Sequence, residues 1–241
     1  MQGMPIRAET ASMDRRTMLA TGVVLAAGAL LPTSGMRAAP LVARKGFSTM
    51  TRDDAAILLI DHQDMTVNWI QSQPKGAVIA NVRMLARLGA ELEIPHLVTS
   101  TMEDQIGTNI RDVQETAPKA YAARIKRGGT LNCFLDPAFA AATKALGRKS
   151  LILAGLTTDI CLFHTAVGAV KAGYSVTVVG DACGSMTAMA DQLTFDRLRG
   201  LGVDVVGANQ ALTELFTDFG TADGQKAMKI NLEEVVSKMG K

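Results

Sequence analysis

The sequence predicts an α/β fold of three layers, α/β/α, around a six-stranded, mostly parallel sheet. Short β-type runs that are apolar on both faces recur along the chain, as strands sealed between two helical layers must be. Amphipathic helical patterns separate these runs, so consecutive strands are joined by crossovers rather than hairpins. The connections are short and carry helix caps, which favours one continuous sheet over several small units.

The elements follow in order. AAILLI (Ala55–Ile60) is the first strand, and GAVIANVRMLARLGAELE, with apolar residues three and four apart, is the helix after it. IPHLVTS (Ile94–Ser100) and AYAARI (Ala120–Ile125) supply the second and third strands. DPAFAAATKALG reads as a helix with an Asp cap, proline in its first turn and Gly147 as its stop. SLILAG (Ser150–Gly155) is the fourth strand; ICLFHTAVGAVKAG is the next helix, ending at Gly173 with Lys171 in its last turn. YSVTVVG (Tyr174–Gly180), the helix DQLTFDRLRGLG, VDVVG (Val203–Gly207) and the helix NQALTELFTDFG complete the alternation. The closing INLEEVVSKMGK reads as a short amphipathic helix for this subunit or a neighbour.

The first 39 residues do not belong to this pattern. DRRTMLATGVVLAAGALLP pairs Arg15 and Arg16 with an apolar run from Met18 to Leu31. That run, about 14 residues, is shorter than the roughly 17–25 that cross a bilayer. Charged start, short apolar middle and small-residue end describe an export signal, and the arginine pair suggests the twin-arginine route to the periplasm. Met18, Ala20 and Asp14 depart from the commonest form of that signal, and cleavage is expected near Ala38 or Ala39. The organisation is then a signal over 1–39, a linker over 40–52, one domain over 53–220 and a tail over 221–241. The signal carries four of the 25 basic residues and two of the 23 acidic ones, leaving 21 of each. A neutral, aromatic-poor domain gives no basis for nucleic-acid binding, and no stable membrane association is expected once the signal is removed. Cys133, Cys161 and Cys183 lack metal-finger spacing, and their odd number leaves at least one free thiol. A Cys133–Cys183 bridge and free buried thiols both remain open.

In open parallel sheets, sites form beyond the carboxyl ends of the strands. Asp61 follows the first strand, Lys126 and Arg127 follow the third, and Cys161 follows the fourth. Thr157, Thr158 or Asp159 can cap the helix that holds Cys161 in its first turn. Its backbone N–H groups and positive dipole end would favour thiolate and hold an oxyanion. Asp61 could take the thiol proton and return it to a leaving amine, and a nearby cation would keep Asp61 ionised. Each element also has a plain structural reading: a packed cysteine, a loop-capping aspartate, a solvated basic pair.

Beyond these residues, the chain resembles the isochorismatase-like cysteine hydrolase superfamily, in particular its YcaC-type branch. The resemblance rests on AAILLIDHQ (Ala55–Gln63), RGGTLNCFLDPAF (Arg127–Phe139), GRKSLILAGLTTDICL (Gly147–Leu162) and AGYSVTVVGDACGS (Ala172–Ser185). RLRGLGVDVVGANQALTELFTDF (Arg197–Phe219) follows, so the match spans about 165 residues in family order. It implies a Rossmann-like topology and a catalytic Asp–Lys–Cys triad. Asp61 and Cys161 carry over directly. The third position, aligned on LNCF, falls on Arg127, with Lys126 one residue before it; the branch's own arginine there favours Arg127. An arginine can orient and stabilise charge but does not readily trade protons. The resemblance also implies a non-proline cis peptide at Leu156–Thr157 and an oxyanion hole built from the Thr157 and Cys161 N–H groups.

Nicotinamidases of this superfamily bind a divalent metal through an Asp-x-His arrangement and further histidines. This chain has only His62, His96 and His164 and no such cluster, so no metal and no cofactor are expected. His164, one turn after Cys161, is expected to pack beside the nucleophile's helix. His62, Gln63, Trp69 and Phe163 are candidates for the substrate pocket. The expected activity is hydrolysis of a C–N bond in a small amide or carbamoyl compound through a thioester, by a homo-oligomer. The rivals are isochorismatase proper, which cleaves a vinyl ether, and a thiol sensor or ligand-binding module. The cysteine weakens the first rival, because some enzymes of that chemistry lack it; the absence of a resolving cysteine close in sequence weakens the second.

Overall fold

A computed structural model describes residues 50–238. The export signal and nearly all of the linker lie outside the described residues. Six strands form one sheet in the order β3-β2-β1-β4-β5-β6, and all five neighbouring pairs are parallel. The strands are β1 (Ala55–Ile60), β2 (His96–Thr101), β3 (Ile125–Arg127), β4 (Ser150–Gly155), β5 (Ser175–Val179) and β6 (Asp204–Val206). The direction in which strands are added reverses between β1 and β4. Such a reversal parts the loops beyond the two strands and opens a crevice there.

Ten α-helices accompany the sheet among the described residues. They are α1 (Asp64–Asn68), α2 (Lys75–Glu91), α3 (Glu103–Ile106), α4 (Arg111–Thr116), α5 (Pro118–Ala122), α6 (Pro137–Ala145), α7 (Phe163–Lys171), α8 (Ala188–Gly200), α9 (Ala208–Leu215) and α10 (Ala222–Glu234). None is long and apolar enough to cross a membrane. Every residue of β1 and β4 is buried, which is why these two runs lack polar alternation. Ile60 pairs with Gly155 across them. A Cβ at Gly155 would come within 2.8 Å of the Ile60 Cβ, so the strand ends close up only because position 155 has no side chain. The helix stops follow their local chemistry. Asp136 Oδ1 accepts from the Ala138 and Phe139 N–H groups at 2.9 and 3.0 Å, and Gly147 and Gly173 take φ of +67° and +88°.

The third strand differs from the sequence expectation. The run AYAARI does not extend; Pro118 starts α5, and its alanines finish that helix. The strand begins at Ile125 and is only three residues long, because it is an edge with a single neighbour, β2. β2 also starts at His96 rather than Ile94, with the Pro95 carbonyl accepting from the Ile57 N–H. The last long helix, α10, docks on this subunit. Its buried Glu234 accepts from Arg83 at 2.5 Å and from Arg87 at 3.1 Å, both on α2.

Candidate active site

Asp61 is the first residue past β1 and has φ of +54°. Aspartate tolerates this left-handed conformation better than most residues, and such outliers gather at functional sites. The turn is held on both sides. The Asp61 carbonyl accepts from the Gln63 N–H at 2.8 Å and from the Thr66 hydroxyl at 2.7 Å. Its carboxylate is fully buried. Oδ1 accepts from the Thr99 hydroxyl at 2.7 Å, and Oδ2 accepts from Arg127 Nη2. Arg127 is buried too, and its other terminal nitrogen donates to the Thr130 carbonyl.

The neighbouring Lys126 does not share this position. Successive strand residues point to opposite faces, so if Arg127 reaches inward from β3, Lys126 must face out. It is exposed and pairs with Glu103 at 3.0 Å. The expected cation beside Asp61 is therefore Arg127, and Lys126 belongs to the surface. A cleft of about 430 Å³ opens between the ends of β2 and β3, with Lys126 and Arg127 both on its wall.

Cys161 lies beside this pair, in a π-helical turn (Thr158–Leu162) that runs directly into α7. π-turns of this kind are rare and frequent at functional sites. The peptide between Leu156 and Thr157 is cis, as the resemblance implies. No side chain caps the turn, contrary to expectation. The Thr157 hydroxyl instead donates to Asp159 Oδ1 at 2.8 Å, and the Ser185 hydroxyl donates to the same oxygen at 2.9 Å. The Thr158 N–H donates to the Gly184 carbonyl at 3.0 Å. These bonds tie the Cys161 turn to the loop after β5.

Burial pushes the Cys161 thiol well above the usual thiol range, and the adjacent Asp61 carboxylate, which attracts its proton, pushes it further; Arg127 opposes both. The resting sulfur is thus a neutral thiol, not the dipole-stabilised thiolate expected from a helix start. Arg127 stays charged: burial alone would depress it, but the charge of Asp61 and its hydrogen bond to that carboxylate outweigh that cost. Cys133 is fully buried, and burial raises its thiol to about 12. Cys133, Cys161 and Cys183 are all free. Cys161 is 6% exposed.

The four expected pocket residues separate. His62 is completely buried, and its Nε2 meets the Ala182 carbonyl at 3.1 Å. Burial lowers its pKa to about 4, so it is neutral and joins the end of β1 to the loop after β5. Gln63 is equally buried, and its amide is consumed by the backbone of Thr101, accepting from N–H at 2.8 Å and donating to C=O at 2.9 Å. Phe163 is buried under α8, with the Arg197 guanidinium 4.5 Å above its ring. Only Trp69, half-buried at the end of α1, keeps a free surface. His164 is exposed rather than packed. The wider π-turn breaks the α-helical phase on which the expected packing rested. Thr99 and Thr130 were missed; a hydroxyl inside the apolar run HLVTS was the available signal for the first, and a backbone acceptor in a loop offered none for the second.

The fold is that of a three-layer α/β protein, and the residues following β1, β3 and β4 gather Asp61, Arg127 and Cys161 at the carboxyl rim of its sheet. Residues 55–210 match the isochorismatase domain, and the chain belongs to the isochorismatase family and is a hydrolase. It is 30% identical over 179 residues to the Escherichia coli protein named "Probable hydrolase YcaC", covering 74% of this chain and 80% of that one. The crystal structure of the Escherichia coli YcaC gene product, described as an octameric hydrolase of unknown specificity, superposes with a TM-score of 0.74 at 26% identity. That match covers 80% of this chain and 94% of the other. YcaC from Pseudomonas aeruginosa, solved with hexane-2,5-diol and covalent acrylamide, gives 0.73 at 26% identity, over 79% and 94% of the two chains.

Proposed function

We propose that this protein hydrolyses a C–N bond in a small amide or carbamoyl compound, with Cys161 as nucleophile and a thioester as intermediate. The observation that carries the proposal is the fully buried Asp61–Arg127 pair set beside a thiol that burial and Asp61 keep protonated. A thiol of this kind attacks only as its proton leaves, and Asp61 is the acceptor next to it. As sulfur bonds to the carbonyl carbon, the proton passes to Asp61 and the carbonyl electron pair moves onto oxygen. The Thr157 and Cys161 N–H groups are the proposed donors to that oxygen. Collapse expels the amine, which takes the proton back from Asp61. Water then attacks the thioester, gives a proton to Asp61, and the sulfur leaves to recover it. Arg127 does not exchange protons; it holds Asp61 in place and balances its charge.

The covalent acrylamide of the Pseudomonas relative suggests the first probe. Intact-mass analysis after exposure to acrylamide and to an amide and carbamoyl library should find single adducts on Cys161, absent from Cys161→Ser. Full amide turnover by Cys161→Ser would end this reading. We further propose export through the twin-arginine route and a homo-oligomeric state, the latter supported by the octameric relative. A mature amino terminus near residues 38–40 that is lost on Arg15→Lys/Arg16→Lys, and sedimentation above the monomer mass, test the two.

A further inference from the structure

A second concavity lies apart from Cys161, between α8 and the segment after α1. It is a shallow, largely open groove of about 380 Å³, within the roughly 300–1,000 Å³ of small-molecule pockets. Ser72 and Gln73 form one wall, and Ala188, Asp191, Gln192 and Phe195 of α8 form the other. Gly180 is the floor, with the Phe195 ring directly against it; a Cβ there would meet that ring at 3.3 Å.

Asp191 is the unusual member of this groove. It is only 7% exposed, and its Oδ1 is buried without a hydrogen-bond partner among the described residues. The nearby Gln73 amide is already used, donating to the Gly180 and Cys183 carbonyls at 3.0 and 2.7 Å. Arg199, at the far end, pairs with Asp196 at 3.2 Å instead. A carboxylate withdrawn from water without a donor is costly, and a bound cation with N–H donors removes that cost. The helix start at Thr187 favours the negative charge but supplies no donor to Oδ1. One carboxylate flanked by an aromatic ring and an alanine suits an organic cation better than a bare metal ion, which needs several oxygens.

We infer that this groove binds a small primary ammonium compound, its NH3⁺ on Asp191 and its hydrocarbon part along Phe195 and Ala188. The site is independent of the hydrolase chemistry. n-Butylammonium chloride is the probe, titrated calorimetrically into the full protein at fixed ionic strength, with n-butanol and sodium n-butyrate as controls. One saturable site per chain is expected for the ammonium and none for the controls. Asp191→Asn should weaken binding at least tenfold. Ala188→Lys, at an exposed position, should fill the groove with its own ammonium and abolish binding without touching Asp191. Cys161→Ser should bind as well as the parent, so that failure here leaves the hydrolase reading intact and the reverse also holds. Equal binding by Asp191→Asn or by butanol, or no binding at all, overturns the inference. So does a smaller oligomer for Asp191→Asn without butylammonium binding by the parent, which would assign the ammonium to a lysine of a second copy.

Discussion

Arg127→Met removes one charge from a pair in which neither side chain is exposed. Asp61 would keep the Thr99 hydroxyl and the adjacent Cys161 thiol as donors, but no compensating charge. Breaking a buried pair by deleting one partner costs about 3–5 kcal/mol, because the remaining charge stays desolvated without compensation. At about 2–4 °C per kcal/mol for a domain of this size, the melting temperature should fall by about 6–20 °C. Fold loss from lost packing alone would look similar, so the informative variant is the double one. Asp61→Asn/Arg127→Met carries no buried charge in this pair, and replacing a whole buried pair is often close to neutral. It should therefore be more stable than Arg127→Met alone, with a coupling of about 2–3 kcal/mol in a denaturant-based double-mutant cycle. Costs that add to within about 0.5 kcal/mol would refute the reasoning, since the two charges would then be independent.

Lys126→Ala should leave stability within about 1 kcal/mol, as for other surface pairs, and steady-state turnover of an identified amide within about twofold. A hundredfold loss would give the triad's third place to the lysine. His62 titrates near 4 when folded and near 6.5 when unfolded, so between those values only the unfolded chain holds the extra proton. Stability should fall by up to about 3 kcal/mol as pH drops from about 6.5 to about 4. His62→Gln should flatten that limb of the melting curve against pH, and an unchanged slope would assign the acid sensitivity elsewhere. Gly155→Ala places a methyl group 2.8 Å from the Ile60 Cβ, and chemical denaturation should show a loss of about 1–3 kcal/mol.

Much of the scaffold was legible in the sequence because it depends on local periodicity. β1 and β4 occupy the predicted residues, since six apolar residues in a row leave a buried strand little freedom in its bounds. The Asp136 cap and the stops at Gly147 and Gly173 are local conformational chemistry, readable from a few neighbours. What failed was reading an apolar run as a strand without weighing its helix formers. AYAARI is an apolar run of strand length, but its three alanines are helix formers and Pro118 sets the first turn of α5, so only Ile125 is left to the edge strand.

The order of apolar runs, the caps and the positions of Asp61 and Cys161 at strand ends were determined by the sequence alone, because each is set by residues adjacent in the chain. Only the tertiary structure decided between Arg127 and Lys126, since that choice depends on which face β3 turns to β2 and β1. It also withdrew His62 and Gln63 into the framework and turned His164 to the surface. These outcomes depend on pairing across more than 30 residues of chain and on the phase of a π-turn, neither of which is encoded in the spacing of neighbours.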